Sequence, residues 1–470
     1  MGDEIAKTRF GAKDFARFEG RLRAETELLR DLSERQRFSD DGFVLGFEIE
    51  AWLLDHGCYP NPINASFLET MANPLVVPEL SRFNVELNCD PLPLTGDVLG
   101  RTLASLSDLW SHCNRVAHSM DANIVLIGTL PILRDHDLSL AHISPFKRYA
   151  ALNRQALKQR AGRPLVVDIE GEQHLRAEHH DVMLEAATTS FQVHLKTPAH
   201  LAHRYYNASL MASAVVLAAG VNAPYVFGLD LWRETRIPLF EQSVPLTDAG
   251  GGQGRVTFGT GYAQGSLTEV FEDNLAYPAL LPILFDDPPE ALSHLRLHNG
   301  TIWRWNRPLV GFEPDGSPHL RIEHRTLPSG PTMIDMVANA ALYLGLVRSF
   351  VDDGFDEGGL SFADARDNLY AAARYGLDAE LAWPGAGRIG ARTLLLDELL
   401  TEAHEGLASF GIDAGERERF LGVIEARVRS GQTGAAWQRA ALGKFGDLRT
   451  MMAAYCEGQR SGVPVHEWEL

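Results

Sequence analysis

Residues 42–54, GFVLGFEIEAWLL, decide how the rest of the chain is read. As a β-strand the stretch alternates its side chains between two faces. Phe47, Ile49 and Ala51 fall on one face; Glu48, Glu50 and Trp52 fall on the other. Two carboxylates two residues apart in an otherwise apolar strand are costly to bury unpaired, so a cation is expected between them. A strand with one solvated face is the plain alternative. It loses ground because the pattern returns three times. Across 82–88, Asn84, Glu86 and Asn88 oppose Phe83, Val85 and Leu87. Across 188–196, Ser190, Gln192, His194 and Lys196 oppose Phe191, Val193 and Leu195. Across 319–327, Arg321, Glu323 and Arg325 oppose Leu320 and Ile322.

Around these strands the period becomes helical. Phe15, Phe18, Leu22, Leu29 and Leu32 predict an amphipathic helix over 11–37. Leu103, Leu106, Leu109, Trp110, Cys113 and Met120 mark a second helix over 97–121, and NIVLIG at 123–128 reads as a buried strand. Residues 57–78 read as loop, and 131–181 as polar and irregular apart from a helix over 146–160. An Ala-rich helix is expected over 199–220, and helices follow Pro331 to about residue 458. The glycine-dense segment 250–265 suits either a phosphate-binding or lid loop or an ordinary surface loop. With no repeat and no strong linker, the expected organisation is an N-terminal amphipathic helix within 1–40 and a single catalytic α+β domain over 41–460. That domain turns helical from about 335.

Charge narrows the partners. Of 470 residues 43 are basic and 62 acidic, a formal charge of −19, which disfavours nucleic acid or an anionic membrane as the main partner. ATP stays compatible if a divalent cation neutralises carboxylates and phosphates together. The four cysteines, Cys58, Cys89, Cys113 and Cys456, have no CxxC spacing, which fits a reduced, cytoplasmic setting. MGDEIAKTRF has no apolar core of a signal peptide, and the apolar run near 210–221 is too short to span a bilayer.

Carboxylate oxygens with one imidazole suit Mg²⁺ or Mn²⁺ better than zinc. Flanking arginines add bidentate phosphate contact. Neither a GxxxxGK[ST] loop nor the kinase glycine loop with its catalytic sequence occurs, so ATP would bind on the sheet itself. On these residues a phosphoryl-transfer enzyme, a metal-dependent phosphatase or hydrolase, and a non-catalytic binder all stay open. Removing one carboxylate of such a cluster, Glu50 or Glu323, is expected to relieve repulsion in the metal-free protein.

Six landmarks then carry a resemblance: GFEIEAW, ELSRFNVELNCDPLPLTG, FKRY at 146–149, TSFQVHL, NAPYVFG followed by WRETR, and RIEHRTLPSGPT. In this order, over about 42–345, the chain resembles the glutamate–cysteine ligase family of carboxylate–amine ligases, relatives of glutamine synthetase. The resemblance implies an α+β fold whose curved, mostly antiparallel sheet forms a funnel for ATP and Mg²⁺, flanked by helices. It implies that ATP phosphorylates the γ-carboxylate of L-glutamate and that an amine, typically L-cysteine, attacks the acyl phosphate.

Carried over by position, Glu48 and Glu50 match the first metal pair, Glu86 a second-strand ligand, and Glu323 a late metal-bridging glutamate. Glu79 matches a possible acidic ligand or is a solvated loop carboxylate. His194 matches a ligand position that some members fill with Asn. Arg325 matches an arginine placed on the transferring phosphate. Arg236, with Arg233 as alternative, is expected to grip the substrate α-carboxylate. Gln192 is expected to hydrogen-bond the sheet or the nucleotide, and Arg321 to contact the nucleotide or to pair with Glu48 or Glu323. Cys89 is expected to be a packed thiol, and Trp303 and Trp305 to be core. NAPYVFGLDLWRETR matches the family's substrate stretch loosely, so the same chemistry on a different amine or acid is the alternative.

Overall fold

The computed structural model describes residues 4–5, 7–244, 254–355 and 359–470. An eight-stranded sheet runs in spatial order Asn306–Phe312, Pro318–His324, Phe191–Thr197, Val44–Leu54, Asn84–Asn88 and Val76–Pro78. Leu92–Pro93 and Asn123–Val125 pair with the two ends of Val44–Leu54. Every pairing is antiparallel, and the sheet curls into a half-barrel. Val44–Leu54 is its central strand. Residues directly opposite in an antiparallel pair share a face. Glu50 lies opposite Glu86, Glu48 opposite Gln192, Gly46 opposite His194, and His194 opposite Glu323. The register therefore collects the polar residues of four strands on one face, and a slip of one residue would scatter them.

The other face is the core. Phe47, Ile49, Ala51, Val85, Leu87, Phe191, Val193, Leu195 and Ile322 are all buried there, with Phe47 and Phe191 edge-on at 5.0 Å. Helix Ala202–Gly220 packs on Pro318–His324 and on helix Met333–Asp352, which in turn meets Val98–Ser119 and Leu400–Ser409. At the last crossing, a methyl on Gly345 or Gly406 would strike the facing helix backbone, so only glycine permits that approach. Met333–Asp352 is the one described helix long and apolar enough to cross a membrane, and 89% of its apolar window is buried inside the protein. Its hydrophobic length builds the core. The N-terminal helix, Ala12–Glu34, docks on Ser293–Asn299, where Glu25 accepts from the Leu295 amide at 2.9 Å and meets His294 Nδ1.

Three local expectations change. The loop expected at 57–78 contains helix Asn64–Met71 and strand Val76–Pro78. The irregular region contains a hairpin, Leu165–Glu170 with His174–His179, whose Leu165, Val167 and Ile169 alternate inward. In the helical C-terminal part, Glu380–Trp383 pairs with Gly387–Gly390. Of the glycine-dense segment, 250–253 lies outside the described residues, while Val256–Thr257 pairs with Trp303–Arg304.

Candidate active site

The polar face of the sheet carries two groups of three possible metal ligands. Glu50, Glu79 and Glu86 form the inner trio; Glu48, His194 and Glu323 form the outer one. In each, ligand atoms lie within 4.8 Å of one another. In the inner trio Glu79 Oε1 is a buried ligand atom with no hydrogen-bond partner, and in the outer trio His194 Nε2 faces two carboxylates, Glu48 and Glu323. Oxygen-rich donors with one imidazole, together with the orphaned Glu79 oxygen, fit a divalent cation of the Mg²⁺ or Mn²⁺ kind.

The trios differ in charge balance. In the inner one, Glu50 accepts from the Ser190 amide at 2.6 Å and from Gln192 Nε2 at 3.1 Å. Glu86 accepts from Asn88 Nδ2 at 3.1 Å, and Glu79 from the Leu80 amide at 3.1 Å. None of these donors is cationic. Burial therefore dominates and pushes all three carboxyls up. Burial together with neighbouring Glu86 and Glu50 takes Glu79 well above its ordinary value. Burial with Glu48 and Glu50 raises Glu86 to about 7. Burial also raises Glu50 against the opposing pull of Arg325.

The outer trio is already paired. Arg307 grips Glu323 with two bonds, Nε to Oε2 at 2.8 Å and Nη2 to Oε1 at 3.0 Å. Arg325 Nη1 adds a third at 3.0 Å. His194 Nε2 lies 3.1 Å from Glu48 and 3.8 Å from Glu323. Burial works against ionisation of Glu323, yet Arg307, Arg325 and His194 together hold its carboxyl well below the usual range. For Glu48, burial is likewise outweighed by His194, which holds it at about 2.

This asymmetry gives a stability prediction. Glu86 has a folded pKa above its unfolded one, so between about pH 4.5 and 7 the native state binds the extra proton. Stability of the metal-free protein falls as pH rises through that window. Glu86→Gln removes the penalty, and at pH 8 with chelator it should be more stable than wild type by on the order of 2 kcal/mol, with little difference at pH 4. Urea titrations at the two pH values check this; a less stable variant at pH 8 would contradict it.

Beside the trios, Gln192 bridges them to Arg325: its Nε2 donates to Glu50 and its Oε1 accepts from Arg325 Nη1 at 2.6 Å. Arg325 lies just past the end of strand Pro318–His324, where its amide donates to the Trp305 carbonyl at 2.9 Å. Arg321 forms no ion pair with Glu48 or Glu323 among the described residues; its Nε is buried without a hydrogen-bond partner. Room for its guanidinium comes from Gly311, where a methyl would sit 2.9 Å from Arg321 Nη1.

Two expected substrate contacts move. Arg236 is buried, 2% exposed. It donates to Glu234 at 3.1 Å, to the Arg325 carbonyl at 3.3 Å and to the Thr326 carbonyl. Those bonds commit the guanidinium to the segment that carries Arg325, so gripping a substrate carboxylate does not fit it. Arg233 is half-buried and faces Asp378 at 3.8 Å. Cys89 is half-buried, accepts from the Phe47 amide at 3.1 Å, and is pushed up to about 11 by burial. Trp303 and Trp305 are buried.

Two further charged residues act on the trios without a clear signal in the sequence pattern. Arg307 stands opposite Glu323 in the register; its signal is a cation at the start of an apolar run, NRPLVGF. Glu185 stands on the short helix Met183–Ala187. Burial and the nearby Glu50 push its carboxyl to about 8; its signal is one acid in the apolar run VMLEAA.

No curated protein matches the chain. The fold is similar to that of a glutamate–cysteine ligase from Francisella tularensis, solved in complex with AMP, at 11% identity and a TM-score of 0.60, covering 90% of each chain. It is also similar to a bifunctional glutathione synthetase from Pasteurella multocida, at 11% identity and a TM-score of 0.50. That alignment covers 93% of this chain and 54% of the other, so the chain spans about half of that larger protein. The model of glutamate-cysteine ligase family 2 matches residues 44–459, from the central strand to the last long helix. The chain belongs to the glutamate-cysteine ligase family 2.

Proposed function

We propose that the protein is an ATP- and Mg²⁺-dependent carboxylate–amine ligase that joins the γ-carboxyl of L-glutamate to L-cysteine through an acyl phosphate. The observation that carries this is the pairing, on one sheet face, of two carboxylate trios with Arg307, Arg321 and Arg325. A carboxylate resists amines until a phosphate makes one of its oxygens a leaving group, and the transferring phosphoryl group needs positive charge around it.

Glu50, Glu79 and Glu86 would hold one divalent cation and Glu48, His194 and Glu323 another, Mg²⁺ or Mn²⁺. When bound, such cations neutralise charge on the phosphates and on the transferring group. The chain's own residues do the rest. Gln192 and Glu323 fix the plane of Arg325, whose guanidinium meets charge building on the γ-phosphoryl oxygens. Arg307 holds Glu323 from the other side. Arg236, through the carbonyls of Arg325 and Thr326, sets the backbone from which Arg325 reaches. Arg321, carrying an unpartnered N–H, is a second phosphate contact. A cytoplasmic setting, supported by four free cysteines, belongs to the same reading.

ATP turnover with Mg²⁺ across amino acids, singly and in pairs, tests the proposal. A ligase requires an acceptor amine to release product at full rate, with L-glutamate and L-cysteine together giving the largest response. Phosphate release from ATP that ignores every acid and amine would mark a hydrolase instead.

A further inference from the structure

Helix Arg236–Ser243 begins with the guanidinium that holds the backbone of Arg325 and, further along, carries Glu241. Trp305 Nε1 donates to Glu241 Oε1 at 2.8 Å. The Tyr370 hydroxyl, from helix Phe362–Tyr375, donates to the same oxygen at 2.9 Å and lies 3.1 Å from Oε2. Both donors are neutral, so the half-buried carboxylate has hydrogen bonds but no described counter-ion. Its place relative to the site follows from the register. Asn306 lies opposite His324, so Trp305 stands across from Arg325, whose amide donates to its carbonyl at 2.9 Å. The Trp305 ring also sits 5.4 Å from the Arg236 guanidinium and edge-on to Phe240 at 5.8 Å. Glu241 is therefore one indole away from the backbone from which Arg325 reaches.

A carboxylate taken from water without a cation is costly, and one walled by aromatic rings is a good seat for an ammonium. The reactants of a carboxylate–amine ligase bring such a group. Phosphates and the reacting carboxylate meet the metals and arginines, whereas the ammonium of an amino acid needs an anion. The acceptor's nitrogen must lose a proton before it attacks, so a seat that stabilises its charge would slow the step. The α-ammonium of the acid takes no part in the bond changes and stays charged throughout. We propose that Glu241 is a specificity residue for the acid substrate, its carboxylate receiving the α-ammonium beside Trp305 and Tyr370. This rests on the ligase reading above and adds the group that separates an amino acid from a plain dicarboxylic acid. Burial outweighs the bonds from Trp305 and Tyr370 and raises the empty carboxyl to about 7. At pH 8 it is largely ionised, and an ammonium beside it favours the ionised form further.

Glutarate, which is L-glutamate without its α-ammonium, provides the test at pH 8. With ATP, Mg²⁺ and L-cysteine, the wild-type protein should use L-glutamate far better than glutarate. Glu241→Gln keeps an oxygen for Trp305 but removes the charge. It should raise the KM for L-glutamate by roughly ten- to a hundredfold, the scale of one hydrogen bond between charged groups. The KM for ATP and the kcat/KM for glutarate should stay close to wild type. Glu241→Asp keeps the charge, should retain part of the preference, and carries the comparison if the glutamine variant does not fold. Equal loss with both diacids would make Glu241 a structural support of Trp305 and Tyr370 and overturn the assignment. A raised KM confined to L-cysteine would overturn it too. Calorimetric titration of the two diacids into each protein reads the same contrast without turnover. A protein that binds L-glutamate through Glu241 yet forms no amide would bring down the ligase reading and leave the ammonium seat standing.

Discussion

Arg325→Lys is expected to lower kcat by roughly ten- to a thousandfold while changing ATP affinity far less. The guanidinium is fixed from two directions. Nη1 bonds Gln192 at 2.6 Å and Glu323 at 3.0 Å, and the backbone on either side is tied to Trp305 and Arg236. Lysine keeps the charge but loses the planar fork, so one ammonium cannot hold both bonds and still present donors in a plane to the phosphoryl oxygens. Charge on those oxygens grows toward the transition state, so the loss falls on kcat. Steady-state kinetics beside an independent nucleotide titration decides the matter. A variant that loses nucleotide affinity and keeps its kcat would make Arg325 a ground-state binding residue.

Glu323→Gln is expected to cut turnover by about a thousandfold or more, the scale of removing the proposed metal ligand together with the anchor of Arg325. Its effect on the metal-free protein separates it from the inner trio. Read from sequence, any carboxylate of the cluster relieves repulsion when removed. The structure gives Glu323 two arginines and a histidine, so its loss leaves buried cations unpaired. Breaking a buried pair in this way costs about 3 kcal/mol. Glu323→Gln and Glu86→Gln should thus move stability in opposite directions at pH 8. Denaturant midpoints measured with chelator test the contrast, and two stabilised variants would contradict the charge assignment.

The site was legible where strand periodicity carries it. Glu48, Glu50, Glu86, His194 and Glu323 each sit on the polar face of an alternating strand, and the period of two leaves little freedom about where they point. The curled antiparallel sheet followed from the same four strands and the family resemblance. Arg307 was not legible, because Pro308, Leu309 and Val310 hide the alternation of its strand and only the register reveals Glu323 across from it. Glu185 was hidden for a different reason: a single turn has no period to read. Arg236 shows a third kind of failure. Its place in the chain was suggestive, but whether a guanidinium faces a ligand or the protein's own carbonyls depends on tertiary packing. The hairpin at Leu165–His179 was visible in the alternation of LVVDIE but was masked by the polar residues around it.

The most direct test of the account follows an atom. L-Glutamate carrying oxygen-18 in its γ-carboxyl is turned over with ATP, Mg²⁺ and L-cysteine, and the inorganic phosphate is analysed by mass. Acyl-phosphate chemistry predicts that one oxygen-18 moves from the carboxyl to each phosphate, in step with amide formed. Phosphate whose new oxygen comes only from water, released without the amide, would contradict it.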